Sequence, residues 1–271
     1  MLIDTHCHLD APEFNADRDA QVQASITQGI TAIVVPAVCA SNFQTVISLS
    51  VQYPQCWYAL GWHPMYIDAA KPSDMHALRQ LIGQQLSESN NKLVAVGEIG
   101  LDFFVTKQNA ETQSYFFTEQ LNIARDYDLP VILHVRRAID DVLKHLRRYK
   151  VRGGIAHAFN GSLQQAEMFV DLGFKLGFGG AMTYTRALKI RALAQAVGME
   201  AIVLETDAPD IPPEWVGTQG RNSPKELLKI AEVLADLRGI HVTQIIENTS
   251  KNSVNIFPKL AHLFTPLEVL H

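Results

Sequence analysis

Eight short apolar runs recur along this chain, and their rhythm constrains the fold more than any other feature. They are Leu2-Ile3, Ala32-Ile33-Val34-Val35, Trp57-Tyr58-Ala59-Leu60, Leu93-Val94-Ala95-Val96, Val131-Ile132-Leu133, Gly154-Ile155-Ala156, Phe174-Lys175-Leu176 and Ala201-Ile202-Val203-Leu204. Most are continuously apolar rather than alternating, the pattern of strands buried on both faces of a parallel sheet. Between them lie stretches of helical periodicity, among them Asp17 to Gln28, Glu111 to Tyr127, Ile139 to Tyr149 and Leu163 to Leu172. Gly29 and Gly173 stand where helix C-termini call for a left-handed residue.

Such repeats fit either an open doubly wound sheet or a closed barrel, and the polar residues decide between them. The first run leads to His6-Cys7-His8, the third to His63, the fourth to Glu98, the fifth to His134, the sixth to His157 and the eighth to Asp207. Six of eight runs thus deliver a metal-capable or acid-base side chain to one rim, as in a barrel whose function gathers at the strand C-termini. An open sheet would concentrate them at a switch point. The expected fold is an α/β (β/α)8 TIM barrel, with residues 1–271 as a single domain and about 241–271 forming extra C-terminal helices and a tail outside the barrel.

Bulk properties narrow the function. Hydrophobic residues make up 47% and charged ones 19%, enough to build a sizeable core. The net charge of −5 gives no global sign of a nucleic-acid binder, although local positive charge or cations could still serve such a substrate. Three cysteines (Cys7, Cys39, Cys56) are too few for a disulfide framework and read as free thiols of a reducing cytosol. No basic segment followed by an apolar stretch opens the chain, and the longest apolar run, Ile30 to Ala40, is broken by Thr31 and Pro36. The expectation is a cytoplasmic protein with no membrane segment.

The chemistry lies in the polar residues after the runs. In His6-x-His8, residues two apart on an extended strand share a side, so both imidazoles can reach one cation. Glu98 follows an apolar run, where its two oxygens could bridge a pair of cations about 3.5–4 Å apart. His134 and His157 follow successive apolar runs. Asp207 ends the eighth repeat and would lie beside the first around a closed barrel, where a carboxylate can take a proton from a water acidified by a cation. Glu205, two residues earlier, competes for that role but would point deeper into the barrel. Imidazoles mixed with carboxylates suit zinc, manganese, nickel or iron, with magnesium less natural for so many nitrogens.

Together the stretches Asp4-Thr5-His6-Cys7-His8-Leu9-Asp10, Gly61-Trp62-His63-Pro64, Gly97-Glu98-Ile99-Gly100-Leu101-Asp102, Pro130-Val131-Ile132-Leu133-His134, Glu205-Thr206-Asp207-Ala208-Pro209 and Arg221-Asn222-Ser223-Pro224 resemble the TatD family of metal-dependent hydrolases, most closely its YjjV-like branch. The resemblance runs through about Pro258. It implies two divalent cations per chain, one held by His6, His8, Glu98 and Asp207 and the other by Glu98, His134 and His157, together with deoxyribonuclease activity from a 3′ end. Three stretches depart from the family pattern: Val135-Arg136-Arg137 where a small polar residue, Arg and an acid are usual, Ala158-Phe159-Asn160-Gly161 where an aromatic and Ser-Gly are usual, and Asp210 where an aromatic is frequent.

His63 is assigned to binding a phosphate or polarising the scissile group, Arg136 to an anionic substrate, and Arg221 and Asn222 to closing the groove or fixing the loop that carries Asp207. Lys144, Arg147, Arg148, Lys150 and Arg152 read as a solvated helix face rather than a DNA track. His76, His145, His241, His262 and His271 are placed on the surface. The expected activity is metal-dependent phosphodiester hydrolysis, with Asp207, Glu98 and His63 as catalytic groups and a single-stranded DNA end as substrate. The alternatives are an ester or amide hydrolase, such as an aminoacyl-tRNA deacylase, and a non-catalytic nucleic-acid-binding barrel.

Overall fold

A computed structural model describes residues 1–104 and 109–264; His271 lies outside the described residues. Its strands are β1 (Leu2–Asp4), β2 (Ile30–Pro36), β3 (Cys56–Leu60), β4 (Leu93–Asp102), β5 (Val131–Arg136), β6 (Gly154–Ala156), β7 (Phe174–Phe178) and β8 (Ile202–Leu204). The helices are α1 (Arg18–Thr27), α2 (Ala40–Gln52), α3 (Pro72–Ser87), α4 (Ala110–Asp126), α5 (Ile139–Arg148), α6 (Leu163–Asp171), α7 (Leu188–Ala196), α8 (Leu227–Arg238) and α9 (Val242–Ile256). Each strand pairs in parallel with the next, from β1 through to β8. Backbone bonds from Thr5 N to Leu204 O (3.1 Å), Asp207 N to His6 O (2.8 Å) and His8 N to Ala208 O (2.8 Å) bring the eighth strand back against the first. The chain folds as the expected (β/α)8 barrel.

Strand alternation sorts the apolar runs between two cores. Ile3, Ala32, Val34, Trp57, Ala59, Ile132, Ile155 and Val203 form one buried cluster inside the barrel. Their neighbours Leu2, Ile33, Val35, Tyr58, Leu60, Val131, Leu133, Ile202 and Leu204 belong to the other, beneath the helices. This explains runs without alternation: both faces of each strand are dry. Each large aliphatic side chain so buried contributes about 1.5–3 kcal/mol relative to exposure.

Helix boundaries follow local chemistry. Ser162 caps α6 by accepting from the Gln165 amide, and the Gln165 side chain returns the contact. Gly29 (φ 82°) and Gly173 (φ 85°) take the left-handed position just past α1 and α6. Beyond Ile240, α9 starts beside α8 with Ile245 in the outer core, and the segment then crosses one mouth of the barrel. Ile256, Phe257 and Leu260 join the interior cluster, and Asn252 donates to the carbonyls of Met199 and Ile202 (both 2.7 Å). That plug seals the mouth opposite the histidines.

Two local irregularities aim the site. Between β4 and β5 the register advances from Val96↔Val131 to Ile99↔Leu133, so β4 carries one extra residue there and Glu98 sits in the bulge. Bulges re-aim side chains beside functional sites. The strand does not end near Glu98 but continues to Asp102. The second irregularity is the segment after β8. Asn222, fully buried, donates to the carbonyls of Thr206 (2.6 Å), Asp210 (2.9 Å) and Ile211 (3.2 Å), and Thr206 is tied to the Asp4 carboxyl (2.6 Å). Arg221 pairs with both oxygens of Asp17 (2.9 and 2.6 Å) and donates to Glu13 O (2.6 Å). These bonds lock the loop that carries Asp207.

Two predictions test this frame. A Cβ on Gly154 would lie 2.0 Å from the Val131 carbonyl oxygen, inside the β5–β6 ladder. Gly154→Ala is therefore expected to cost about 1–3 kcal/mol or more and lower the calorimetric unfolding midpoint by on the order of 5 °C. The Arg221 guanidinium, with help from Gln21, pulls the Asp17 carboxyl from the ordinary 3.8 down to about 2. A depressed carboxyl stabilises the fold above its unfolded pKa and loses that contribution as pH falls through its folded value. In Arg221→Gln the Asp17 titration, followed by NMR, should return towards 3.8. The deficit in urea stability at pH 7 should shrink as pH approaches about 2.

Candidate metal centre

Glu98, 1% exposed, is the hub of the rim. Its two oxygens face different imidazoles. Oε2 lies 3.3 Å from His6 Nε2 and 3.4 Å from His8 Nε2. Oε1 lies 2.9 Å from His134 Nδ1, 3.0 Å from His157 Nε2 and 3.3 Å from His63 Nε2. Asp207 Oδ1 closes the first group, 3.4 Å from His6 Nε2 and 3.8 Å from His8 Nε2. Three sets of donors fall within 4.8 Å of one another: His6, Glu98 and His157; His6, His8 and Asp207; His63, Glu98 and His134.

The strand pattern explains the convergence. His134 and His157 stand two residues beyond the interior side chains Ile132 and Ile155, so alternation turns them towards the barrel axis above the apolar core. Glu205 stands two beyond Val203 and likewise points inward. A Cβ on Gly177 would meet Glu205 Oε2 at 2.1 Å, so glycine on β7 is what leaves room for this carboxylate. Glu205 Oε1 accepts from the Ala158 amide at 2.6 Å and lies 3.7 Å from His157 Nδ1. Deep placement, already evident from alternation, separates it from the Glu98–Asp207 cluster.

Asp102 is a member that strand-end reasoning passed over. Its Oδ2 accepts from His134 Nε2 at 2.9 Å, and its Oδ1 from the Phe104 amide at 2.9 Å. With Nε2 protonated and committed to Asp102, His134 keeps its Nδ1 lone pair for the Glu98 side, the usual arrangement behind a metal-binding imidazole. The available signal was the Glu98-x3-Asp102 spacing, since residues four apart on a strand share a face. His63 is oriented the other way. Its Nδ1 accepts the Met65 amide proton at 3.1 Å, so the neutral ring carries its proton on Nε2, facing Glu98.

Burial and mutual charge set unusual protonation. Burial opposes ionisation of Glu98, yet His63, His157, His6 and His134 hold its carboxyl well below the usual range. Burial would likewise strip His8 of its proton, but Glu98 and Asp207 push it up to about 9. His157 is raised for the same reason, whereas burial and the neighbouring His157 drive His6 well down. Burial lifts Asp207 to about 7 against the pull of His157 and His8. His6 Nε2 and His8 Nε2 face each other at 3.2 Å with two carboxylate oxygens alongside. Protons on both facing nitrogens would crowd each other at that separation, whereas a divalent cation can accept all four lone pairs of this knot. The donor set fits a metal and suits a borderline-soft ion.

The remaining residues fall outside this knot. Arg136 and Arg137, both exposed, lay their guanidiniums over the Phe104 ring, 3.5 and 4.5 Å from its centroid. Arg221 is occupied with Asp17 and Asn222 with the loop carbonyls. Lys144, Arg147 and Arg148 are exposed on α5, and His76, His241 and His262 are exposed as well. His145 is half-buried, packed between Phe117 and Tyr149. Among the described residues no helix is long and apolar enough to cross a membrane.

Comparison with known proteins agrees with this geometry. A sequence model of the family described as TatD related DNase matches residues 3–258. The metal-dependent hydrolase YjjV of Escherichia coli K12 is 44% identical over 258 residues, covering 94% of this chain and 97% of its own length. Its crystal structure superposes with a TM-score of 0.89 at 40% identity, covering 95% of this chain and 98% of its own. The human deoxyribonuclease TATDN3 is 31% identical and covers 97% of this chain and 96% of its own. With a buried histidine–carboxylate cluster at the strand ends of a (β/α)8 barrel, this chain belongs to the TatD family of metal-dependent hydrolases.

Proposed function

We propose that this protein is a cytoplasmic deoxyribonuclease that cleaves phosphodiester bonds at 3′ ends with two divalent cations. The observation that carries the reading is the division of labour at Glu98: one oxygen faces His6 and His8 beside Asp207, the other faces His134 and His157. Two donor groups sharing one carboxylate are what a pair of closely spaced cations requires. The human relative's description as a deoxyribonuclease supports the substrate class.

In this reading His6, His8, Glu98 and Asp207 hold one cation, and Glu98, His134 and His157 hold the other. Zinc, manganese, nickel, iron and magnesium are the candidate ions. Bound there, the cations would neutralise phosphoryl oxygens and acidify a water. Asp207, beside His6 and His8, would accept a proton from the attacking water and return one to the leaving oxygen. His63 donates from Nε2 to a phosphoryl oxygen, its ring fixed by the Met65 amide. Arg136 meets the negative charge of the strand. Asn222 and Arg221 act on substrate through the loop they hold.

The deciding experiment pairs metal content of the purified protein with turnover of a 3′-tailed DNA oligonucleotide, before and after chelation and re-addition of Mg, Mn or Zn. About two metals per chain and metal-restored stepwise shortening are expected. The His134→Ala/Asp207→Ala double variant should lose all but a trace of activity, and full activity would overturn the assignment. Two metals without DNA cleavage would shift the search to ester and amide substrates, aminoacyl-tRNA included. Nucleic-acid binding that survives metal removal, without turnover, would leave only a binding barrel. Separately, Asp102→Asn is expected to weaken metal affinity roughly 10–100-fold, read by competition with a chelating dye, while activity recovers at saturating metal.

A further inference from the structure

The rim beside Glu98 Oε1 carries aromatic surface that hydrolysis alone does not require. Among the described residues three aromatic side chains are counted as large exposed apolar groups, Tyr66 at 49%, Phe104 at 41% and Tyr115 at 44%. The first two adjoin the centre. The ring of Tyr66 packs against His63, 6.0 Å between centroids, and His63 faces Glu98 Oε1. Phe104 is joined to the same oxygen through Asp102 and His134. Both aromatics are thus one or two contacts from one half of the metal centre.

Phe104 is also positively decorated. Arg136, paired in register with Asp102, and Arg137, held at φ 54°, both lie over its ring. Among the described residues neither guanidinium has a carboxylate within ion-pair distance; the only hydrogen bond is a long one from Arg137 to Phe104 O (3.5 Å). A single arginine on an exposed phenyl ring is ordinary surface packing. Two on one ring repel each other; the Asp102 carboxylate offsets part of the charge of Arg136, and an anion joining the two would relieve the rest. A π face next to unpaired guanidiniums is how single-stranded nucleic acid is held without reading its sequence.

We propose that Phe104 and Tyr66, with Arg136 and Arg137, form a subsite that stacks a nucleobase and grips the adjoining phosphate on the His63–His134 side of the centre. This rests on the phosphodiesterase reading above and makes Phe104 its specificity-determining side chain. Stacking against the exposed part of an aromatic ring is sequence-tolerant, so the subsite discriminates base from no base rather than one base from another. Arg137 contributes charge, and its loss weakens any strand alike.

The test uses the metal-loaded protein and two fluorescently labelled, hydrolysis-resistant phosphorothioate strands, one of four thymidines and one with the same backbone but abasic sites. Wild-type protein should bind the thymidine strand roughly 5–100-fold more tightly by anisotropy. Phe104→Leu should abolish that preference while leaving abasic affinity unchanged, and Tyr66→Leu should reduce it. Arg137→Ala should weaken both strands by a similar factor. Equal binding of the two strands by wild type, or a preference that survives Phe104→Leu, overturns the subsite. Both positions are exposed, so a folding defect is not expected, and unchanged metal content verifies each variant. Base-dependent binding without turnover would sink only the nuclease reading; turnover without base preference would sink only the subsite.

Discussion

Everything in this molecule depends on closing the eighth strand against the first, and the closure is made by the site itself. His6 O accepts from Asp207 N, and His8 N donates to Ala208 O. The same residues supply two imidazoles and a carboxylate to the centre. Backbone groups buried at such a seam must be paired, so the side chains of His6, His8 and Asp207 are brought together by the bonds that complete the barrel. Asp4 reinforces the seam from beneath, bonding both the amide and the hydroxyl of Thr206, and burial pushes its own carboxyl up to about 8. Fold and function share one set of residues there.

Above the seam, charge is the second constraint. Glu98 is a buried carboxylate surrounded by five imidazoles, and isolated it would be untenable in a dry interior. The carboxylates answer it by raising the proton affinity of His8, His134 and His157. A cation competes with those protons for the same lone pairs, which couples metal binding to proton release. The outer contacts decide which nitrogen is offered: Asp102 takes the Nε2 proton of His134, and the Met65 amide takes the Nδ1 lone pair of His63. Two histidines facing the same oxygen are thereby prepared differently, one with a free lone pair and one as a donor.

The apolar interior beneath supports this polar layer with little waste. Ile132, Ile155 and Val203 sit one alternation step below His134, His157 and Glu205. Phe257 and Leu260 plug the opposite mouth. At the other end Phe104 and Tyr66 stand exposed beside the centre.

What could be read without coordinates was whatever depends on period and order. Continuous apolar runs reported strands with two dry faces, Gly29 and Gly173 reported helix ends, and the histidines and acids after six of the runs reported a common rim. Those signals are local, so a linear reading captures them. Three features were decided only in three dimensions. The bulge between Val96 and Ile99 turns Glu98 into the cluster while its strand runs on to Asp102, because pairing with β5 rather than local propensity sets the register. Asp102 became His134's partner only once the two strands lay side by side. Which partners Arg221 and Asn222 meet was the third: packing sets Arg221 against Asp17 and turns the Asn222 amide to the carbonyls of its own loop. Sequence spacing determines which groups share a face of one element; only packing determines which atoms of neighbouring elements meet.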